Sequence, residues 1–332
     1  MMKTNVKNVF MTTAISLIAA FSWDIVRAAS FDCKRAARPQ EKFICQHAEV
    51  SKLDEDLAKV YRDQTKILPR EAQTMALSSQ RSWLAYWPRA CSASPTSIEF
   101  GADAIGCVGD QYRQRLKELG VLPVPVGRIA FTVSEYSFNA PKASGEAAST
   151  HTISYPQVVA KSSSDLLLNA WLARDIRKWR TSLDGDSNSE LSVVLTMATV
   201  KLIQATESSS WYGHGAAHPQ SGRANHCFLA ETDRVMRPAD FFTGNRWVEI
   251  VASYVFEELK EKLGEQLQIE RSENLKAAVS TTANWSIGKA SFSLQFNPYE
   301  VAPYSEGFVE VEVPMPLIRP HLTPLARELL AQ

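Results

Sequence analysis

The sequence predicts an α+β protein in two parts: a small disulfide-linked all-α hairpin domain, then a mixed α+β sandwich domain with a mostly antiparallel sheet. Three observations carry this. Cys33, Cys45, Cys91 and Cys107 cluster in the first third of the 332 residues. Apolar residues in that third recur at three- and four-residue steps. Beyond residue 121, strand-like alternation mixes with two separate helical runs, which favours segregated layers over alternating parallel units. A hydrophobic content of 45% is ample for packed cores.

The first 28 residues read as an export signal, with Lys3 and Lys7, an apolar run from about Val9 to Trp23, and a small-residue end at Ala28. That run is shorter than the roughly 20 residues of a membrane span, and no later stretch is long enough. The mature chain is therefore expected to be periplasmic or secreted, with no transmembrane segment. Formal charge is zero overall and −2 without the leader, which argues against a nucleic-acid partner. Four clustered cysteines in an exported chain imply two disulfides.

From Glu41 to about Lys66, the residues Ile44, Val50, Leu53, Leu57 and Tyr61 trace one amphipathic helix. A second helix carries Leu77, Leu84 and Trp87, with Trp83 alongside, and stops at Pro88, which lacks the amide hydrogen to continue it. A third, from about Gly106 to Leu119, surrounds Cys107. Of the three possible pairings, an antiparallel hairpin favours Cys45 with Cys91 and Cys33 with Cys107. Cys227, alone downstream, reads as a small buried hydrophobe.

These stretches also carry a resemblance. "FDCKRAARPQEKFIC", "LDEDLAKVY" and "QRSWLAYWPRAC" resemble the cysteine-rich helical domain of LprI-type lysozyme inhibitors, which places that domain at 29–120. Leu53, Asp54, Leu57, Tyr61, Gln80, Arg81 and Trp83, with the four cysteines, occupy its marked positions. One departure stands out: Trp87 and Pro88 replace the arginine and acidic residue the family usually has before the third cysteine. Most of these residues are simplest to read as core, with Asp54 and Arg81 as an ion pair across the hairpin.

"VLPVPVG" at 121–127 reads as a semi-rigid linker. The second domain, 128–332, opens with the strands "RIAFTVSEYSF" and "THTISYPQVVA". A helix from Asp165 to Leu183 follows, turning Leu167, Trp171, Ile176 and Trp179 inward, then the β-rich run "ELSVVLTMATVKLIQAT". "NRWVEIVASYVFEELKEKL" is a further helix with Trp247, Val251, Tyr254, Val255 and Leu259 inward, and the strands "SFSLQF" and "FVEVEVP" close the domain.

Within it, "GAAHP", "RPADFF" and "FNPYEVAPYSEGFVEVEVP" are similar to the exported domain of the RsiV anti-sigma factor, also found in some peptidoglycan deacetylases. His218, Pro219, Asn297, Pro298, Tyr299, Tyr304 and Gly307 are the motif residues. RsiV-type proteins bind lysozyme with this domain, so both resemblances imply one partner, lysozyme or a lysozyme-like muramidase. Unlike those relatives, the chain is expected to carry neither a cytoplasmic segment with a retained membrane helix nor an appended catalytic domain.

The stretch "WYGHGAAHP" sets His214 and His218 four apart, but Gly213, Gly215 and Pro219 oppose the helix that would converge them on a metal. A turn in which His218 bonds the backbone is expected, and neither metal nor cofactor. No nucleophile with an oriented base and no carboxylate pair at glycosidase spacing is identifiable, so the reading is a binding protein and not an enzyme. Glu300, Glu306, Glu310 and Glu312 are candidate partner-binding residues, because "VEVEV" alternation turns Glu310 and Glu312 outward. Counted residue by residue, 29–120 carries +2 and 121–332 carries −4, an acidic surface suited to a basic lysozyme. The expected function is stoichiometric capture of muramidases, protecting peptidoglycan. The second reading is a cell-wall accessory module that binds glycan, such as peptidoglycan, or another envelope protein, with Trp211, Tyr212, Tyr299 and Tyr304 as aromatics that stack on sugars.

Overall fold

Residues 39–67 share one apolar periodicity yet fold as two helices, α1 (Pro39–Gln46) and α2 (Ala48–Ile67), broken at His47, whose φ of −121° and ψ of 106° are extended. The break is held by side chains that take the freed carbonyls. His47 Nδ1 donates to Phe43 O at 2.7 Å, and Ser51 Oγ donates to Ile44 O at 2.6 Å. This computed structural model describes residues 29–94, 96–119, 130–141, 146–159, 163–181, 183, 185–232 and 234–331. The expected leader at 1–28 and linker at 121–127 lie outside the described residues.

The break corrects the expected disulfides. Cys45 turns away from α2 with α1 and bonds Cys33, while Cys91 bonds Cys107, with Cα separations of 5.8 and 5.7 Å. Neither bridge is Cys45–Cys91 or Cys33–Cys107, because α1 is not the start of the hairpin's first helix. The second helix, α3 (Arg70–Ala90), also runs past Pro88. Leu84, whose carbonyl loses its partner to that proline, is on the solvent side at 48% exposed. The buried face of α3 is Ala72, Ala76, Ser79, Trp83, Tyr86 and Trp87, and both Leu77 and Leu84 are exposed. At Ala72, Ala76 and Ser79 small residues win because this part of α3 lies close along strand β1 (Ala130–Asn139).

Helix α4 (Ala104–Glu118) completes the first part and contributes Val108 and Tyr112 to a core with Phe43, Ile44, Val50, Leu57, Trp83 and Trp87. Asp54 does not pair with Arg81, which is exposed. It accepts from the Tyr112 hydroxyl at 3.0 Å and Ser30 N–H at 2.7 Å. The buried cation is instead Arg115, fully covered, which donates to Glu118 at 2.9 Å, Ser79 at 3.0 Å and Gln80 at 3.1 Å.

Strands β1, β2 (Ser149–Val158), β3 (Ser187–Ala198), β4 (Leu202–Gly213), β5 (Gln220–Leu229) and β6 (Arg234–Val235) form one sheet in chain order. All neighbours are antiparallel except β2 and β3, joined in parallel through the crossover helix α5 (Ser163–Thr181). Phe131, Val133, Ile153, Leu191, Val193 and Leu195 bury one face under Leu168, Leu172 and Ile176 of α5. That stripe is offset from the expected one. Only Ile176 is shared, Leu167 is 50% exposed, and Trp171 and Trp179 sit half-buried at the margin, where their rings reach the core from the side. Leu68, Ala72 and Ala76 belong to this same core, so the helical part and the sheet share packing across β1. The outer edge of β1 is met by serines. Ser134 N–H donates to Ser79 Oγ at 2.9 Å, and Ser82 Oγ both accepts the Tyr136 N–H and donates to its carbonyl, each at 3.1 Å.

The third layer contains α6 (Pro238–Phe241), α7 (Arg246–Leu263), α8 (Lys276–Ser280), α9 (Met315–Ile318) and α10 (Pro324–Ala331). They surround an antiparallel sheet of β7 (Trp285–Gly288), β8 (Ser291–Phe296) and β9 (Val309–Glu312). Trp285 is its centre, ringed by Phe241, Phe242, Trp247 and Phe292, with its indole N–H on Val279 O at 2.7 Å. In α7, Trp247, Val251, Val255 and Leu259 are buried as their spacing predicts, and Tyr254 is half-buried.

Cys227 joins this core as a free, buried thiol, and burial pushes its pKa up to about 12. At pH 8 the native thiol is expected to react with iodoacetamide at least about a hundredfold more slowly than in the unfolded chain, because thiolate is the reactive form. The unfolded chain loses this proton near the ordinary 9 and the folded chain near 12, so alkali above pH 9 favours unfolding. Mass spectrometry of alkylated protein checks it, and equal labelling with and without denaturant would contradict the burial.

Candidate functional site

Two motifs far apart in sequence meet on one surface. The tip of the β4–β5 hairpin holds His218, and the β8–β9 connection, residues 297–308, folds against it. Asn297 joins them by accepting Arg223 N–H on Oδ1 at 2.6 Å. The connection is built as a turn. Glu300 accepts from Asn297 N–H at 2.8 Å and from Asn297 Nδ2 at 3.2 Å, while Tyr299 takes φ +70° and Gly307 φ +64°. A positive φ is costly for a tyrosine and easy for glycine, so the turn holds Tyr299 against its preference.

The result is an aromatic knuckle. His218 stacks on Tyr304 with ring centroids 4.0 Å apart, and Tyr299 lies 5.7 Å from Tyr304 and 59% exposed. His218 Nδ1 is 2.9 Å from Pro219 O, which can only accept, so Nδ1 carries the proton and Nε2 receives the Tyr299 hydroxyl at 3.3 Å. Beside it, the Arg223 guanidinium sits 4.5 Å over the Phe308 ring. An exposed aromatic group braced this way offers contact area at little cost in ordering. His214 points elsewhere, with Nε2 3.4 Å from Asn188 Oδ1, so the two histidines do not converge. Among the described residues, no three or more His, Cys, Asp or Glu side chains are placed to hold a metal ion.

The candidate glutamates divide. Glu300 is occupied in the Asn297 turn, and Glu306 is exposed at the knuckle. On β9, Val309 and Val311 are buried while Glu310 and Glu312 face out, as the alternation predicts. Val313 N–H bonds Phe292 O on β8 at 2.9 Å, and Val311 and Val309 lie opposite Leu294 and Phe296 in the same register. The backbone groups of Glu310 and Glu312 between them therefore point away from β8. That side is the free edge of the sheet, since β9 is the last strand in the order β7-β8-β9. Charges on such an edge also discourage pairing with another chain. With Glu258 and Lys262 of α7 they line a hollow of about 510 Å³, where Lys262 Nζ donates to Glu310 O at 3.1 Å.

The residues marked on the helical part do a different job. Leu57 and Trp83 are buried, Leu53 and Tyr61 are half-buried, Asp54 holds Tyr112, and Gln80 holds Arg115. Only Arg81 is exposed. Trp87, at the position where the resembling family has an arginine, is buried against Phe100 and Tyr112 at 5.9 and 5.7 Å and offers no contact surface. Arg223, Phe308 and the buried pair Arg115–Glu118 carry no signal in the sequence. Contacts across many residues set the partners of the first two, and the i, i+3 spacing of the last pair looks like any surface pair.

Residues 33–119 match the family described as Lysozyme inhibitor LprI. Residues 239–315 match one described as a protein of unknown function, DUF3298. Among solved structures the chain is similar to a member of the DUF3298 family from Bacteroides fragilis, with 14% identity, a TM-score of 0.50, and 62% of this chain and 98% of that one covered. A DUF3298 family protein from Pseudomonas aeruginosa is similar at 16% identity and a TM-score of 0.45, covering 61% and 96%. The first likeness shows a shared fold. No curated protein matches the chain.

Proposed function

We propose that this is an extracytoplasmic protein that captures lysozyme-like muramidases in a stoichiometric complex and so shields peptidoglycan. The observation that carries the reading is the match of residues 33–119 to a lysozyme-inhibitor family. Its two disulfides fit an oxidising compartment, and among the described residues no helix is long and apolar enough to cross a membrane. The resemblance of the second part to the lysozyme-binding domain of RsiV supports the same partner. So does the knuckle, an exposed aromatic anchor with Glu306 beside it. The marked residues of the helical part are mostly core, so any contact made by that part uses other residues of its surface.

The test mixes the full chain with animal c-type, g-type and bacterial muramidases, and separately with peptidoglycan, measuring binding and lysis. One-to-one binding that stops lysis is expected. Peptidoglycan binding without muramidase binding favours the accessory-module reading.

Charge reversal at the β9 edge gives a finer expectation. Glu310→Lys with Glu312→Lys brings the formal charge of 121–332 from −4 to zero. Association with a basic lysozyme is expected to slow about tenfold at low salt, because summed surface charge steers encounter. The difference should vanish at 1 M salt, where the Debye length is about 3 Å. Melting should change little, since exposed charges contribute about 1 kcal/mol or less to folding. Stopped-flow rates at two salt concentrations check it, and an unchanged low-salt rate places the steering charge elsewhere.

A further inference from the structure

The sheet face opposite α5 is polar in an ordered way. Strand register sets Tyr136, Thr152, Glu190 and Ser210 side by side across β1 to β4. In the neighbouring row Asn188 lies opposite Tyr212 and accepts the Thr150 N–H at 2.9 Å. Helix α4 overlooks this face with Gln111, Gln114 and Glu118, spaced to share one side of a helix. Between helix and sheet runs a groove of about 260 Å³, which Tyr86 of α3 also lines.

The helical wall is fixed in place. Glu118 accepts from Arg115 at 2.9 Å, Ser134 at 2.7 Å and Gln114 at 3.3 Å, and from the Tyr136 hydroxyl. Its charge is therefore balanced by a buried arginine, while Glu190 is exposed at the groove. Burial, with Glu190 nearby, holds the Tyr86 hydroxyl above the ordinary phenol range, so it stays protonated and able to donate.

No lysine, arginine or histidine is among the described lining residues. A phosphate or a uronate would meet the exposed carboxylate of Glu190 with no lining lysine or arginine to offset it and only His214 behind Asn188, its Nε2 3.4 Å from Asn188 Oδ1. An apolar ligand would leave amides and hydroxyls unpaired at a cost. A neutral, hydroxyl-rich ligand meets both demands. Gln111 and Glu190 offer planar amide and carboxylate groups to hydroxyls, Asn188, whose Oδ1 is taken by Thr150, offers its Nδ2, and Tyr212 offers a ring to the C–H face of a sugar. The volume is below the roughly 300–1,000 Å³ of drug-sized sites, which suits one ring. The groove exists only where the helical part meets the sheet, and ligand sites favour such junctions.

We propose that this groove binds a single neutral pyranose unit of a glycan. The site is separate from the aromatic knuckle and does not depend on muramidase capture. Saturation-transfer NMR on the full chain tests it, with chitotriose and cellotriose as neutral probes and a galacturonate trimer as the acidic one. Transfer from a neutral trimer is expected at millimolar concentration, and Gln111→Ala with Glu190→Ala should weaken binding at least tenfold while melting is unchanged. Should that variant melt early, Ser210→Tyr, which fills the groove from β4, should abolish transfer. Silence from both neutral trimers, a preference for galacturonate, or binding that survives the substitutions would each overturn the proposal. No muramidase enters the assay, so its failure leaves the capture reading standing, and the reverse holds.

Discussion

Arg115→Ala is expected to lower stability by about 3–5 kcal/mol, the usual cost of removing one partner from a buried ion pair. Its guanidinium is fully covered and Glu118 nearly so, and the three groups it serves, Glu118, Ser79 and Gln80, lie on both α3 and α4. Ser79 in turn receives the Ser134 N–H of β1, and Glu118 holds Ser134 and Tyr136. Loss of the cation thus strands a carboxylate at the seam between helices and sheet. Urea titration followed by circular dichroism measures the change. Arg115→Met with Glu118→Leu should recover most of it, because two apolar groups leave no charge unpaired. A loss under about 1 kcal/mol in the single variant would mean that water reaches Glu118.

The second large effect is expected in binding. Tyr304→Ala should weaken capture of lysozyme by about 2 kcal/mol or more, roughly thirtyfold, as truncating a central aromatic anchor commonly does. Tyr304 is the ring on which His218 stacks and beside which Tyr299 stands, so its loss removes the support of both. Tyr304→Phe keeps the stacking surface and should bind within a factor of a few of the unsubstituted chain. Calorimetric titration against lysozyme checks both, with thermal melting as the control for folding. Affinity unchanged by Tyr304→Ala would move the contact surface away from the knuckle.

How far the sequence reveals each element depends on which contacts decide it. Helix α7 buries the residues its spacing predicts, and β9 turns Glu310 and Glu312 outward, because one packing partner on one side fixes each. The disulfide pairing is not legible in the same way. It turns on the break at His47, which bonds from His47 and Ser51 to nearby carbonyls sustain inside an unbroken apolar pattern. The inward face of α3 departs from its hydropathy for a related reason. Leu77 and Leu84 rank as more apolar than Ala72, Ala76 and Ser79, but close approach to β1 selects for size. The knuckle is half legible: its residues stand out as motifs, while the stacking of His218 on Tyr304 needs the hairpin and the β8–β9 connection to meet.

The serine contacts on β1 have a consequence for growth. A β-sheet propagates by offering unpaired backbone groups to the next chain, and polymerisation needs a margin several residues long. Here Ser79 and Ser82 occupy the margin at β1. The opposite margin is β6, only two residues in length, and the stretch of β5 beyond it already gives its Arg223 N–H to Asn297. The six-stranded sheet is thereby terminated at both sides within a single molecule. Among the described residues, the largest sheet thus leaves no long fibre-forming margin open to a second copy of the chain.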